Sequence, residues 1–160
     1  MTPDFQRLVD ALAATGVRYV IVGGVALVLQ GSARTTRDLD ICYARDGENL
    51  DAIATALAPF RPTLRGAPRD LPFRLDGATL RSGLNFTLES EAGDIDLLGE
   101  LTGVGGYDQL AAGADVMELY GHPVRVMSLD ALERAKRAAG RLKDLADLAE
   151  ILEIRRRRGE

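Results

Sequence analysis

The sequence predicts an α/β domain, a sheet of short strands packed by amphipathic helices. Three observations carry this. Tyr19-Val20-Ile21-Val22 is a β-branched apolar run too short for a free helix, and it stops at Gly23-Gly24. Two pairs of short strand-like runs follow, Asn85–Glu89 with Asp94–Leu98 and Val116–Tyr120 with Val124–Met127, each pair joined by a glycine turn. Apolar residues at helical spacing recur before, between and after these runs.

At 160 residues the chain is expected to form one domain, with a core over about 1–127 and C-terminal helices over about 128–158. Its 46% hydrophobic and 28% charged residues are an ordinary globular mixture. The formal net charge of −4 gives no overall basic field, so a nucleic-acid contact would need a local patch and no DNA partner is expected. The lone cysteine, Cys42, excludes an intrachain disulfide and reads as a small buried strand residue. The opening Met-Thr-Pro-Asp-Phe has no cationic segment leading into an apolar one, and no stretch approaches a membrane span. The expected compartment is the cytoplasm, with no membrane partner.

In chain order, Thr2 is expected to cap a first helix, with Pro3 at its first position and Phe5, Leu8, Val9 and Leu12 as its apolar stripe. Gly16 ends it. The strand Tyr19–Val22 turns at Gly23-Gly24 into a short helix from Val25 to Gln30. Asp38–Cys42 is the next strand. Asp46-Gly47 turns the chain into a helix carrying Leu50, Ile53, Ala54 and Leu57. Residues 60–82, broken by Pro62, Pro68 and Pro72, read as loop or short strands. The two hairpins follow, separated by a glycine-rich loop at 103–106 and a short helix from Tyr107 to Ala112. Ser128 caps a helix to about Ala139, Gly140 breaks it, and a last helix from about Lys143 presents Leu145, Leu148, Ile151 and Leu152 on one face.

The chemistry concentrates between Tyr19 and Tyr43. Two glycines after a strand let the backbone turn sharply and approach a ligand, and the helix that follows offers unpaired N–H groups suited to phosphate. In Asp38-Leu39-Asp40-Ile41 the two acids share one strand face, roughly 6.6 Å apart, while Leu39 and Ile41 enter the core. Carboxylates so placed can converge on divalent ions.

Gly23-Gly24, a thirteen-residue spacer and Asp38-Leu39-Asp40-Ile41 resemble the signature of the polymerase-beta-type nucleotidyltransferases. The Gly31–Arg37 spacer, and the segment from Lys136-Arg137 through Gly140-Arg141 to Lys143-Asp144, are similar to the AbiEii-type branch of that superfamily. The resemblance implies an α+β nucleotidyltransferase core on a mixed β-sheet, with a helical C-terminus. It implies two Mg2+ ions (Mn2+ as the alternative) held by three carboxylates. Asp38 and Asp40 supply two. For the third, Asp94 and Asp96 share a face and periodicity does not choose between them. Asp96 is preferred because Ile95 and Leu97 flank it inside the strand, because Asp94 borders the Gly93 turn, and because the family's Ile-Asp-Leu-Leu pattern falls on it. The same likeness puts Gly23, Gly24, Ser32, Arg34, Arg37, Lys136, Arg141 and Lys143 near the nucleotide. Each cation has a plainer reading too: Arg34 and Arg37 as surface residues or as supports for an acid, Lys136, Arg141 and Lys143 as a helix surface. His122, in a Gly-His-Pro turn, reads as structural, and Arg155–Arg158 as a solvated helix end.

The expected activity is transfer of a nucleoside monophosphate from an NTP to an acceptor hydroxyl. The acceptor is a tRNA end or a protein, as for the toxin of a toxin–antitoxin pair with a cognate antitoxin, or else a small molecule such as an antibiotic. The rival is a non-catalytic nucleotide- or protein-binding partner on the same fold, whose expected mark is a missing carboxylate.

Overall fold

The computed structural model describes residues 3–68 and 70–160. The cap expected at Thr2 lies outside them. Helix α1 (Phe5–Ala14) is capped instead by Asp4, whose side chain accepts from the Arg7 N–H at 3.2 Å, and it buries Leu8, Val9 and Leu12. Then come β1 (Tyr19–Val22), α2 (Gly23–Leu29), β2 (Asp38–Tyr43) and α3 (Gly47–Leu57). β3 (Thr63–Leu64), α4 (Gly77–Ser82), β4 (Asn85–Ser90) and β5 (Gly93–Leu98) follow. A short ribbon of β6 (Glu100–Leu101) and β7 (Gly105–Gly106) leads through α5 (Tyr107–Ala112) to the hairpin β8 (Asp115–Leu119) and β9 (His122–Val126). Helices α6 (Leu129–Ala139) and α7 (Leu142–Arg157) close the chain.

Seven strands form one sheet in the order β3-β4-β5-β2-β1-β9-β8. It is mixed: β2 runs parallel to β5 and β1 parallel to β9, while the other neighbours are antiparallel. Period-two alternation divides its faces. Ile21, Leu39, Ile41, Ile95, Leu97 and Leu88 are fully buried in the core. Asp38, Asp40, Asp94 and Asp96 stand on the other face, where β2 and β5 pair Asp38 with Asp94 and Asp40 with Asp96. Val22, at the end of β1, pairs with Asp40 from the other side.

Three elements differ from the sequence reading. The helix after β1 begins at Gly23 itself, whose φ of +65° turns the chain directly out of the strand. Residues 60–82, read as loop or short strands, also hold α4, nucleated by Asp76, which accepts from the Thr79 N–H at 2.8 Å. On α7 the inward face is Asp144, Asp147, Ile151 and Ile154; of the expected stripe Ile151 is buried, whereas Leu145 and Leu152 are 57% and 55% exposed. The reason is ionic. Cations from the α2–β2 loop and from α6 face α7 and draw its acids inward. His122 lies in β9 and contacts Asp10 on α1 at 2.7 Å, a tie between two elements.

Candidate active site

Register builds the site. Because Asp40 and Asp96 are direct neighbours on parallel strands, and Asp38 lies two residues before Asp40, one carboxylate oxygen from each of the three lies within 4.8 Å of the others. Asp96 is the deeper of the β5 acids, its side chain 16% exposed against 35% for Asp94. Asp40 Oδ1 is buried and has no hydrogen-bond partner. Burial first, then the charges of Asp96 and Asp38, push the Asp40 carboxyl up to about 7, and Arg65 offsets only part of this. A buried carboxylate oxygen without a donor, among hard oxygen ligands, fits a divalent ion such as Mg2+.

The glycines fit against these groups. A Cβ on Gly23 would collide with the Asp40 carboxylate, and one on Gly24 would sit 2.9 Å from Thr36 Oγ1. The turn therefore lies directly on the foot of β2, and its lack of side chains is used by the chain's own close packing.

One residue of the site was not singled out from the sequence. Arg65, just after β3, spreads its guanidinium over three of the acids. Nη2 donates to Asp96 Oδ1 at 2.6 Å and to the Leu88 carbonyl at 2.8 Å. Nε lies 3.2 Å from Asp94 Oδ2 and Nη1 lies 4.0 Å from Asp38 Oδ2. Nothing local marks Arg65, since its partners come from distant strands.

The expected nucleotide cations separate into two groups. Arg34, Lys136 and Arg141 are drawn into one ion cluster with α7. Arg34 pairs with Asp147 and, at 2.5 Å, with Glu150. Lys136 Nζ lies 2.8 Å from Asp147 and 3.7 Å from Asp144. Arg141 Nε donates to Asp144 at 2.7 Å, and Ser32 Oγ, buried, donates to Glu150. Three cations face three carboxylates, so the cluster is neutral. The acids recur every three residues, 144, 147 and 150, a stripe that was legible as one helix face. Arg37 and Lys143 are exposed and make no ion pair among the described residues.

Beside the acids opens a cleft of about 280 Å³ between the sheet and α6. Val22, Gly23, Leu98, Met127, Leu132 and Ala135 give it an apolar wall, and Glu100, Lys136, Arg141 and Asp144 form its polar edge. Leu98 continues the strand face of Asp96, so cleft and carboxylates share one surface.

The mixed sheet, the turn at the end of β1 and the acids of β2 and β5 define a nucleotidyltransferase core. The model of the aminoglycoside-2''-adenylyltransferase family matches residues 4–151, and the chain belongs to that family. Solved structures share the fold. A Thermotoga maritima protein provisionally classed as a nucleotidyltransferase superposes with a TM-score of 0.57 at 18% identity, over 93% of this chain and 90% of that one. ANT(2'')-Ia, in complex with adenylyl-2''-tobramycin, gives 0.57 at 15% identity over 92% and 84%. No curated protein sequence matches the chain. Among the described residues no helix is long and apolar enough to cross a membrane.

Proposed function

We propose that this protein transfers a nucleoside monophosphate from an NTP to a hydroxyl of a small, cationic acceptor of the aminoglycoside kind. The observation that carries the transfer is the convergence of Asp38, Asp40 and Asp96 beside the Gly23 turn. In this reading Asp38 and Asp40 hold both of two magnesium ions and Asp96 holds the one on the acceptor side. Such ions neutralise charge on the attacking and leaving oxygens. A new bond forms between the acceptor oxygen and the α-phosphorus, the bond to the bridging oxygen breaks, and pyrophosphate leaves. In this reading Asp96 also accepts the hydroxyl proton. The cleft between the sheet and α6 holds the nucleoside or the acceptor, with its apolar wall excluding water.

Two observations favour a cationic acceptor over RNA. The family matched is named for aminoglycoside adenylylation. The sheet face around the site carries Asp38, Asp40, Glu89, Asp94 and Asp96, with Glu100 at the cleft and Arg65 the one cation paired to them among the described residues. A polyanion meets repulsion there, and Arg34 of the α2–β2 loop and Lys136 of α6 are already paired with α7. The AbiEii-type likeness, and with it a toxin acting on tRNA or protein, rests on the Gly31–Arg37 spacer and the Lys136–Asp144 segment. The structure uses parts of both to hold α7 in place.

The test is incubation with each NTP labelled at the α-phosphate, magnesium, and in parallel tobramycin-type aminoglycosides, tRNA and a protein pool. Label on the aminoglycoside with release of pyrophosphate is expected. Label on tRNA or protein alone moves the acceptor to that class. No label on any acceptor, with no NTP binding, leaves the non-catalytic partner.

A further inference from the structure

Arg65 is held among the acids by the fold, not by chance contact. Its backbone N–H donates to the Thr87 carbonyl at 3.0 Å, extending the β3–β4 pairing, and its Nη2 is tied to the Leu88 carbonyl at 2.8 Å. From these two anchors the guanidinium reaches Asp96, Asp94 and Asp38 at once, at 2.6, 3.2 and 4.0 Å. Two of those three acids, Asp38 and Asp96, converge with Asp40. The hydrogen bond occupies Asp96 Oδ1, one of the two oxygens of the deepest β5 acid.

A fixed positive charge this close to the ligand oxygens opposes a second cation in two ways. It repels a divalent ion directly, and it already satisfies part of the carboxylate charge the ion would take. We propose that Arg65 is the resident counter-cation of this site, weakening it for a free divalent ion so that tight loading requires the ion to arrive with a nucleoside triphosphate. The phosphate oxygens add ligands and negative charge that the three carboxylates alone lack while Arg65 remains in place. Binding of ion and nucleotide is then strongly coupled, and the coupling is reciprocal. Asp94, outside the converging trio, lies 3.2 Å from Nε and adds charge attraction without a hydrogen bond. The inference rests on the reading of Asp38, Asp40 and Asp96 as metal ligands.

The experiment measures Mn2+ affinity of the protein alone and with a non-hydrolysable NTP analogue, for wild type, Arg65→Gln and Arg65→Lys. Melting in EDTA is followed in parallel. Arg65→Gln should bind free Mn2+ at least about tenfold more tightly than wild type, the scale of removing a unit charge a few ångströms from a divalent ion even under strong screening. The gain in Mn2+ affinity on adding the analogue should shrink in that variant. Arg65→Gln should also melt lower in EDTA, since the acids lose their shared cation, and recover on adding Mn2+. Arg65→Lys, which keeps the charge, should stay within about threefold of wild-type affinity. Equal or weaker Mn2+ affinity in a folded Arg65→Gln overturns the proposal while leaving the metal site standing. An Arg65→Gln that stays unfolded at saturating Mn2+ also overturns it, because Arg65 is then a structural brace. Failure of wild type to bind Mn2+ even with the analogue overturns both this inference and the metal reading beneath it.

Discussion

Asp40 and Asp96 are register partners on the adjacent parallel strands β2 and β5, so their carboxylates leave the sheet side by side on the same face. Asp38 and Asp94 repeat the pairing two residues earlier, and Arg65 contacts both of these and Asp96. This arrangement sets the order of expected mutational effects.

For the paired acids of β2, Asp38→Asn and Asp40→Asn should fold and lose the thermal stabilisation that magnesium with NTP gives the wild type, since a ligand raises melting only where it binds the native state. Melting curves with and without Mg-NTP test this. Equal shifts in wild type and both variants would remove the metal site from these residues.

On β5 the two acids should part company. Asp96→Asn should abolish transfer while leaving NTP affinity largely intact, because Asp38 and Asp40 still hold the nucleotide side. Asp94→Asn, whose carboxylate meets Arg65 and lies outside the converging trio, should keep substantial turnover. Pyrophosphate release and NTP affinity measured on both variants decide it. An active Asp96→Asn beside a dead Asp94→Asn would exchange their roles.

At the glycine turn, Gly23→Ala should cost more than Gly24→Ala. Residue 23 has a φ of +65°, which costs a residue with a Cβ about 1–2 kcal/mol, and its Cβ would displace Asp40. Gly24→Ala meets only the Thr36 side chain, at 2.9 Å and beyond. The expected result is a lower melting temperature and loss of Mg-NTP stabilisation in Gly23→Ala, and a smaller effect on both in Gly24→Ala. Gly24→Val should crowd Thr36 further and weaken NTP binding. Indistinguishable alanine variants would count against the close approach to Asp40.

At the junction of α6 and α7, the Arg141 hydrogen bond holds the Asp144 carboxyl at about 2. Against the cost of burial, hydrogen bonds from Lys136 and Arg34 hold Asp147 below its usual range. Both groups bind fewer protons folded than unfolded between their folded and unfolded values, so their stabilisation is present above about 4 and, for Asp144, is lost as pH falls toward 2. Asp144→Asn should therefore melt below wild type at neutral pH, with the gap closing as pH falls through that window. A gap that stays constant down to pH 2 would show that the ion pairs contribute nothing there.

The local parts of this site were legible in the sequence. Strand geometry puts Asp38 and Asp40 on one face whatever the rest of the chain does, and a glycine pair after an apolar strand announces the turn. Ser128, read as a cap, does cap α6, accepting from the Ala131 N–H, while Asp46, read only as a turn residue, also caps α3. Long-range pairings were not legible in the same way. Arg65 sits in a proline-broken stretch with no period to read, and its role exists only because β4 and β5 bring Leu88, Asp94 and Asp96 to it. The C-terminal helix shows the same limit. Leu145 and Leu152 satisfy a helical stripe, yet Asp144 and Asp147 are the residues turned inward.

By itself the sequence determined the elements that short-range geometry controls: strand, turn, caps, and the shared face of Asp38 and Asp40. Only the tertiary structure brought Asp96 within reach of both Asp38 and Asp40, and decided where Arg65 rests and which side of α7 is buried. The physical reason is that dihedral periods and capping bonds act within a few residues. Strand register and ion pairing are settled between segments far apart in the chain, where burying a charge requires a partner.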